Sequence, residues 1–133
     1  MADLRLKIVC PDGEIFDGEA KSILLTTTEG EVQLLRGHAA FAAPLATGRA
    51  KLVMSDGAER LAAVSGGFVV CDADGVRVVA TTFEFADTID LERAMRAKEE
   101  AERRISAAKN ERELDIAKAK LARAISRISV AGK

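Results

Sequence analysis

The chain has 133 residues, 48% of them hydrophobic, with 20 basic and 21 acidic side chains and a formal net charge of −1. That length suits one domain with or without an appended element, and the apolar fraction is enough for a core. Near-balanced charge leaves no overall field to attract nucleic acid or an anionic membrane, so any electrostatic binding must come from a local cluster.

Residues 1–10, MADLRLKIVC, lack the basic-then-apolar layout of a secretory signal, and no apolar run approaches the ~20 residues that span a bilayer. The expectation is a cytosolic protein, or one held at a membrane by its partners without inserting. Up to about residue 85 the runs LRLKIV, KSILLTT, RAKLVM, RLAAVS, GFVVC and GVRVVATT alternate with the turn signals PDG, DG, SDG and DADG. Short apolar runs at such regular spacing predict an antiparallel sandwich or barrel. Nine of the ten glycines, both prolines and all five phenylalanines lie before residue 86, so the composition changes there.

Cys10 and Cys71 have no CxxC spacing, and one histidine cannot complete a soft-ligand set, which predicts reduced, half-buried thiols. That histidine, His38 in GEVQLLRGHAAF, has no companion nucleophile: Ser65 in VSGGF lacks the G-x-S-x-G elbow. SGGF also lacks the Lys-Ser/Thr of a phosphate loop and reads as a glycine-bearing turn or bulge. With no acidic metal cluster either, the chain is not expected to be an enzyme.

From Asp90 the apolar spacing becomes three and four. Leu91, Ala94, Lys98, Ala101, Ile105 and Ala108 share one face, and Leu114, Ala117, Leu121, Ala124, Ile125 and Ile128 share the next. Two amphipathic helices follow, with Thr88 or Asp90 capping the first and an Asn110–Glu113 capping box opening the second. Glu92–Arg96, Glu99–Arg103 and Glu100–Arg104 have the spacing of favourable pairs one turn apart. The alanine-rich stripe gains little on burial, so the hairpin should dock weakly. Folding it about residue 109 sets Arg93, Arg123 and Arg127 at one level near Asp90, an arrangement suited to a polyphosphate. The same arginines could instead pair with Glu84, Asp87 and Asp90 as a solvated salt-bridge cluster, the commoner outcome for surface charge.

Four stretches carry a resemblance: L-x-I-V-x-P-D-G-x-x-F-x-G from Leu6 to Gly18, G-E-x-x-x-L-x-G-H-A from Gly30 to Ala39, V-S-G-G-F-V from Val64 to Val69, and A-x-x-R-I-S-V-A from Ala124. In order, spacing and length the chain resembles the epsilon subunit family of the F-type ATP synthase, called delta in mitochondria. The resemblance implies an α+β protein with an antiparallel β-sandwich over residues 1–86 and a two-helix antiparallel hairpin over 87–133. It implies a non-catalytic rotor subunit, peripheral at the cytoplasmic face of the bacterial inner membrane. The partners so implied are the gamma subunit, the c-subunit ring and, when the hairpin extends, the alpha/beta catalytic head, where the hairpin blocks ATP hydrolysis. Glu31 and His38 are implied as rotor contacts, on a loop that departs from the usual pattern at Gln33, Arg36 and Ala40. No cofactor is required. ATP is implied as a regulatory ligand of the folded hairpin, through Ile89, Asp90, Arg93 and Ala94 of an I(L)-D-x-x-R-A motif together with Glu84, Arg123 and Arg127; the part of magnesium is left open. Two other readings stand beside this one: a nucleotide-blind rotor subunit with a salt-bridged latch, and an unrelated β-sandwich binding module.

Overall fold

Alternating apolar and polar side chains build most of the first 85 residues into strands. In β1 (Leu4–Cys10), Leu4, Leu6 and Ile8 are buried while Arg5 and Lys7 face solvent. The computed structural model describes residues 3–132; residues 1, 2 and 133, at the outer ends of the two expected modules, lie outside the described residues. The further strands are β2 (Gly13–Thr27), β3 (Gly30–Leu35), β4 (Phe41–Pro44), β5 (Gly48–Met54), β6 (Glu59–Asp72) and β7 (Gly75–Phe85). A 3-10 turn at Ala86–Thr88 leads into α1 (Leu91–Ala107) and α2 (Glu111–Ala131).

The strands run in the order β1-β7-β6-β5-β2-β3, with β4 beside β6, and β1 also pairs with the first half of β2. The sheet thereby closes on itself around Leu6, Ile8, Ile23, Leu25, Leu34, Leu52, Val69 and Val78, all at most 1% exposed, and closure removes most of its free edges. One pairing departs from the expected antiparallel pattern: β1 runs parallel to β7, with Leu6 opposite Val76 and Ile8 opposite Val78. These strands lie at opposite ends of the module, so no hairpin dictates their relative direction.

Two strands appear where no strand was expected, β3 from GEVQLL and β4 from FAAP, and RLAAVS and GFVVC merge into the single strand β6. Gly66 and Gly67 are therefore neither a turn nor a bulge, since the β6–β7 ladder keeps one register from Ala62 opposite Phe85 to Asp72 opposite Gly75. With φ of +67° and +99° they form a corner. Before it, Ala62 and Val64 point to the core and β6 pairs with β5; after it, Val69 and Cys71 point inward and the partner is β4. A Cβ on Gly67 would lie 1.9 Å from the Val79 carbonyl oxygen, so only glycine fits.

The hairpin follows its caps. Asp90 accepts from the Arg93 N–H at 3.1 Å and Asn110 from the Glu113 N–H at 2.8 Å, while Glu113 reaches back to the Lys109 N–H at 2.8 Å. Thr88 does not cap the helix; its hydroxyl donates to the Phe85 carbonyl at 2.7 Å and closes the 3-10 turn. Ala94, Ala101, Ala117 and Ala124 are buried, whereas Leu91 and Ile125, placed on the apolar faces by their spacing, stay 39% and 47% exposed. Small residues let the helices approach closely, which leaves the larger side chains at the rim. Of the three pairs one turn apart, Glu100–Arg104 closes, at 2.7 Å, and the other two stay open beyond 4 Å.

α1 packs on α2, and α2 packs on β5 and β6. Ala63 is 4% exposed yet belongs to no part of the sandwich core; it lies on the opposite face of β6 from Ala62 and Val64, the face that receives α2. The Ser126 hydroxyl donates to the Gly48 carbonyl at 3.1 Å. No helix is long and apolar enough to cross a membrane among the described residues.

Candidate functional site

The hinge between the modules is a cleft. Phe83 and Phe85 turn into the sandwich, edge to face with ring centroids 5.4 Å apart. Period-two alternation then points Glu84 the other way, toward α2. Glu84 is opposite Ala63 in the β6–β7 ladder, on the face that receives the helix. The two phenylalanines flanking Glu84 thus leave the cleft free and support its floor. Arg60 stacks over Phe85 at 3.7 Å and reaches Asp87 at 3.9 Å, a tie that spacing did not reveal.

A cavity of about 290 Å³ opens at this hinge, and Glu84, Ile89, Asp90, Arg93, Ala94 and Arg127 line it with Thr88 and Ala97. Six of the seven residues singled out for this site therefore share one space. The seventh, Arg123, lines an adjoining crevice of about 130 Å³ between the helices with Arg104, Lys120 and Arg127. Counting residues from the bend put all three arginines level, but Arg123 and Arg127 are one turn, about 6 Å, apart along α2. Arg93 aligns with Arg127, and Arg123 faces the next turn toward the bend. Ala97 and Arg127 border both spaces.

The charges are partly committed. The Arg127 Nε donates to Glu84 Oε1 at 2.5 Å, with both side chains about one third exposed. Asp90 spends one carboxylate oxygen on the helix cap. The side chains of Arg93 and Arg123 make no ion pair within 4 Å among the described residues. The site is thus half of each arrangement open from spacing: one arginine is salt-bridged and two are free to meet an anion.

Glu31 and His38 do not come together. Glu31 opens β3 and His38 follows its far end, seven residues on, so a strand of about 3.3 Å per residue keeps them apart. Arg49 holds Glu31 through Nε at 2.9 Å and Nη2 at 3.4 Å. The guanidinium lowers the Glu31 carboxyl from its ordinary range, chiefly by hydrogen bonding, and the carboxylate raises Arg49 in turn. His38 lies with Nδ1 at 2.8 Å from the Ala39 carbonyl oxygen and its ring edge on to Phe41, on a cavity of about 390 Å³ that Arg5, Glu19, Arg36 and Asp72 also line. Gln33 sits in the ladder opposite Leu24, its amide 3.5 Å from the Ser22 hydroxyl, so this departure in the loop is absorbed by strand pairing.

Both cysteines are free. Cys71 is fully buried where half-burial was expected, because it follows the Gly67 corner onto the core face, and burial raises both thiols from their ordinary value. Among the described residues, no group of three or more His, Cys, Asp or Glu is arranged to hold a metal ion.

A closed β-sandwich carrying a two-helix hairpin, with an arginine-lined cleft where the two meet, defines a two-module subunit. Residues 3–86 match the family described as ATP synthase, Delta/Epsilon chain, beta-sandwich domain, and residues 87–132 match its long alpha-helix domain. The chain belongs to the ATP synthase delta/epsilon family, as a non-catalytic, epsilon-type subunit. It is 39% identical over 134 residues to the ATP synthase epsilon chain of Ruminococcus albus, covering 100% of this chain and 99% of that one. It is also 39% identical over 135 residues to the epsilon chain of Halalkalibacterium halodurans, with 100% of each covered. A chain in the mitochondrial ATP synthase of Euglena gracilis shares the fold at a TM-score of 0.85 and 24% identity, over 100% of this chain and 83% of its own. One in the Tetrahymena thermophila mitochondrial enzyme shares it at 0.66 and 17%, over 98% and 97%. The family match over both modules sets aside the reading as an unrelated binding module.

Proposed function

We propose that the chain is a rotor subunit of the central stalk whose hairpin senses ATP. The sandwich would bind the gamma subunit and the c-subunit ring, with Glu31 and His38 in those contacts, and so help couple proton-driven rotation to ATP synthesis. This places the subunit peripherally at the cytoplasmic face of the inner membrane. The hairpin, when it leaves the sandwich, would extend toward the alpha/beta head and inhibit hydrolysis.

The observation that carries the ATP reading is the hinge cleft. Glu84, Asp90, Arg93 and Arg127 from both modules and both helices meet there only while the hairpin is folded, so a ligand bound there favours the folded form alone. ATP at about 100 times its dissociation constant would then stabilise that form by roughly 2.7 kcal/mol, ample to shift an alanine-lined docking surface. More ATP means a more fully folded hairpin and relieved inhibition.

Calorimetric titration of the full chain with ATP, in EDTA and again with magnesium, tests this. Saturable binding is expected, weakened by Arg93→Ala, Arg123→Ala and Arg127→Ala; no heat at millimolar ATP sinks it. The Arg127–Glu84 pair itself favours a second reading, a nucleotide-blind latch. Under that reading, deleting residues 88–133 still alters inhibition of the assembled enzyme, while ATP leaves the amide resonances of α2 unmoved.

A further inference from the structure

Resting on the reading that the hairpin leaves the sandwich, we infer that the chain pivots at Ile89–Asp90 and that Arg60 sets the pivot there, by holding the 3-10 turn Ala86–Thr88 on the sandwich after the helices have gone. The two faces of β6 separate what moves from what stays. Ala63 and, opposite it on β7, Glu84 face α2. Arg60 lies on the other face: it is opposite Leu52, a fully buried core residue, and two places from Ala62, which is opposite Phe85. Its guanidinium stacks on the Phe85 ring at 3.7 Å and reaches Asp87 at 3.9 Å. The turn is thus gripped from the side of the sheet opposite α2.

α2 rests against this turn, yet the bonds that close it are its own: the Thr88 hydroxyl donates to the Phe85 carbonyl at 2.7 Å and the Ile89 N–H to the Ala86 carbonyl at 3.3 Å. Beyond Thr88 the grip ends. Ile89 and Asp90 are extended, with ψ of 126° and 103°, and Asp90 gives its carbonyl and its carboxylate to the N–H groups of Ala94 and Arg93 in α1. Among the described residues, neither makes a backbone bond to a strand. Two extended residues give roughly 7 Å of slack, so the hairpin swings as a lever about a fixed point and does not slide along the sandwich. The placement also protects the core. Phe85 is packed edge to face on Phe83, and a peel that ran back past Ala86 would draw its ring out of the buried cluster. Arg60, stacked over that ring, closes the route.

Nuclear magnetic resonance of the full chain tests this once the hairpin is displaced. Ala63→Arg fills the seat of α2 and offers Glu84 a cross-strand partner in place of Arg127, while Ser126→Arg removes the Gly48 bond from the helix side. In either variant α2 amides should exchange with deuterium about tenfold faster or more, marking release. Amide relaxation should then show fast disorder beginning at Ile89, while Phe85 to Thr88 stay as rigid as the strands and the Arg60 side chain keeps the ring-current shift of Phe85. Adding Arg60→Gln should move the onset back to Ala86 or earlier. Asp87→Asn, which leaves Phe85 covered and the core untouched, should free the turn as well and decides the matter where Arg60→Gln impairs folding. Disorder that already starts at or before Thr88 in the release variants, or an onset at Ile89 that neither further substitution moves, overturns the inference. If α2 exchange is unchanged in both release variants, the hairpin does not leave and the reading beneath the pivot fails with it.

Discussion

At Gly67 a single hydrogen decides whether the sandwich can turn its corner. The position combines φ of +99° with a carbonyl oxygen 1.9 Å from where a Cβ would stand, and that oxygen belongs to ladder backbone that cannot move aside. Gly30 gives the contrast: its φ is +116°, but a Cβ there meets nothing within 4 Å. Gly30→Ala should therefore cost only backbone strain, about 1 kcal/mol, and Gly67→Ala about 2 kcal/mol or more, measured as the shift in urea unfolding midpoint at constant slope. Equal costs would mean the corner relaxes. At this scale, what was legible in the sequence was whatever depends on near neighbours. Asp90 and Asn110 announce their caps because the acceptor and the N–H it meets are three residues apart. The parting of Arg123 from Arg93 into adjoining spaces, and the Arg60–Phe85–Asp87 tie, depend on which turn faces what across long stretches of chain, and spacing carries no such information.

Elements show the same division. Helices and hairpin came from periodicity, and the closed β module from its turn signals, but β3 and β4 were hidden. GEVQLL has one fully buried residue, Leu34, and FAAP is four residues long, so neither carries a clear alternation. The parallel β1–β7 pairing was invisible because strands so distant in sequence leave no local mark of direction. Between elements, Glu31 of β3 and Arg49 of β5 make a tie whose pH dependence has a definite sign. The folded-state carboxyl lies below its unfolded value, so the pair's stabilisation is present above the ordinary glutamate range and is lost as pH falls through the lowered value. Arg49 is raised from a value already far above neutral, so nothing is lost on the alkaline side of neutrality. The difference in urea midpoint between wild type and Glu31→Gln should be small and constant near neutral pH and disappear in acid. A difference that grows on acidification contradicts the assignment.

For the whole molecule the question is which module depends on the other. Every residue of the hydrophobic core cluster lies between Leu4 and Phe85, and no helix residue enters it. What joins the hairpin to the sandwich is the seat of α2 on β5 and β6 over Ala63, the Ser126–Gly48 bond and the Arg127–Glu84 pair. Alanine surfaces bury little area, and partly exposed pairs contribute about 0–1 kcal/mol each, so this join is weak beside a closed core of Leu, Ile and Val. Dependence should therefore run one way. A chain ending at Ala86 should unfold cooperatively, with a melting temperature lowered by only a few degrees, since about 1 kcal/mol shifts a domain of this size by roughly 4–8 °C. Residues 87–133 alone should be largely unfolded in water, because two helices with an alanine stripe lack the tertiary packing that stabilises helices of this length. Calorimetry of the first fragment and circular dichroism of the second decide the matter. A sandwich that loses cooperativity would show that the lever is structural and cannot be released, and a switching hairpin would then be physically excluded.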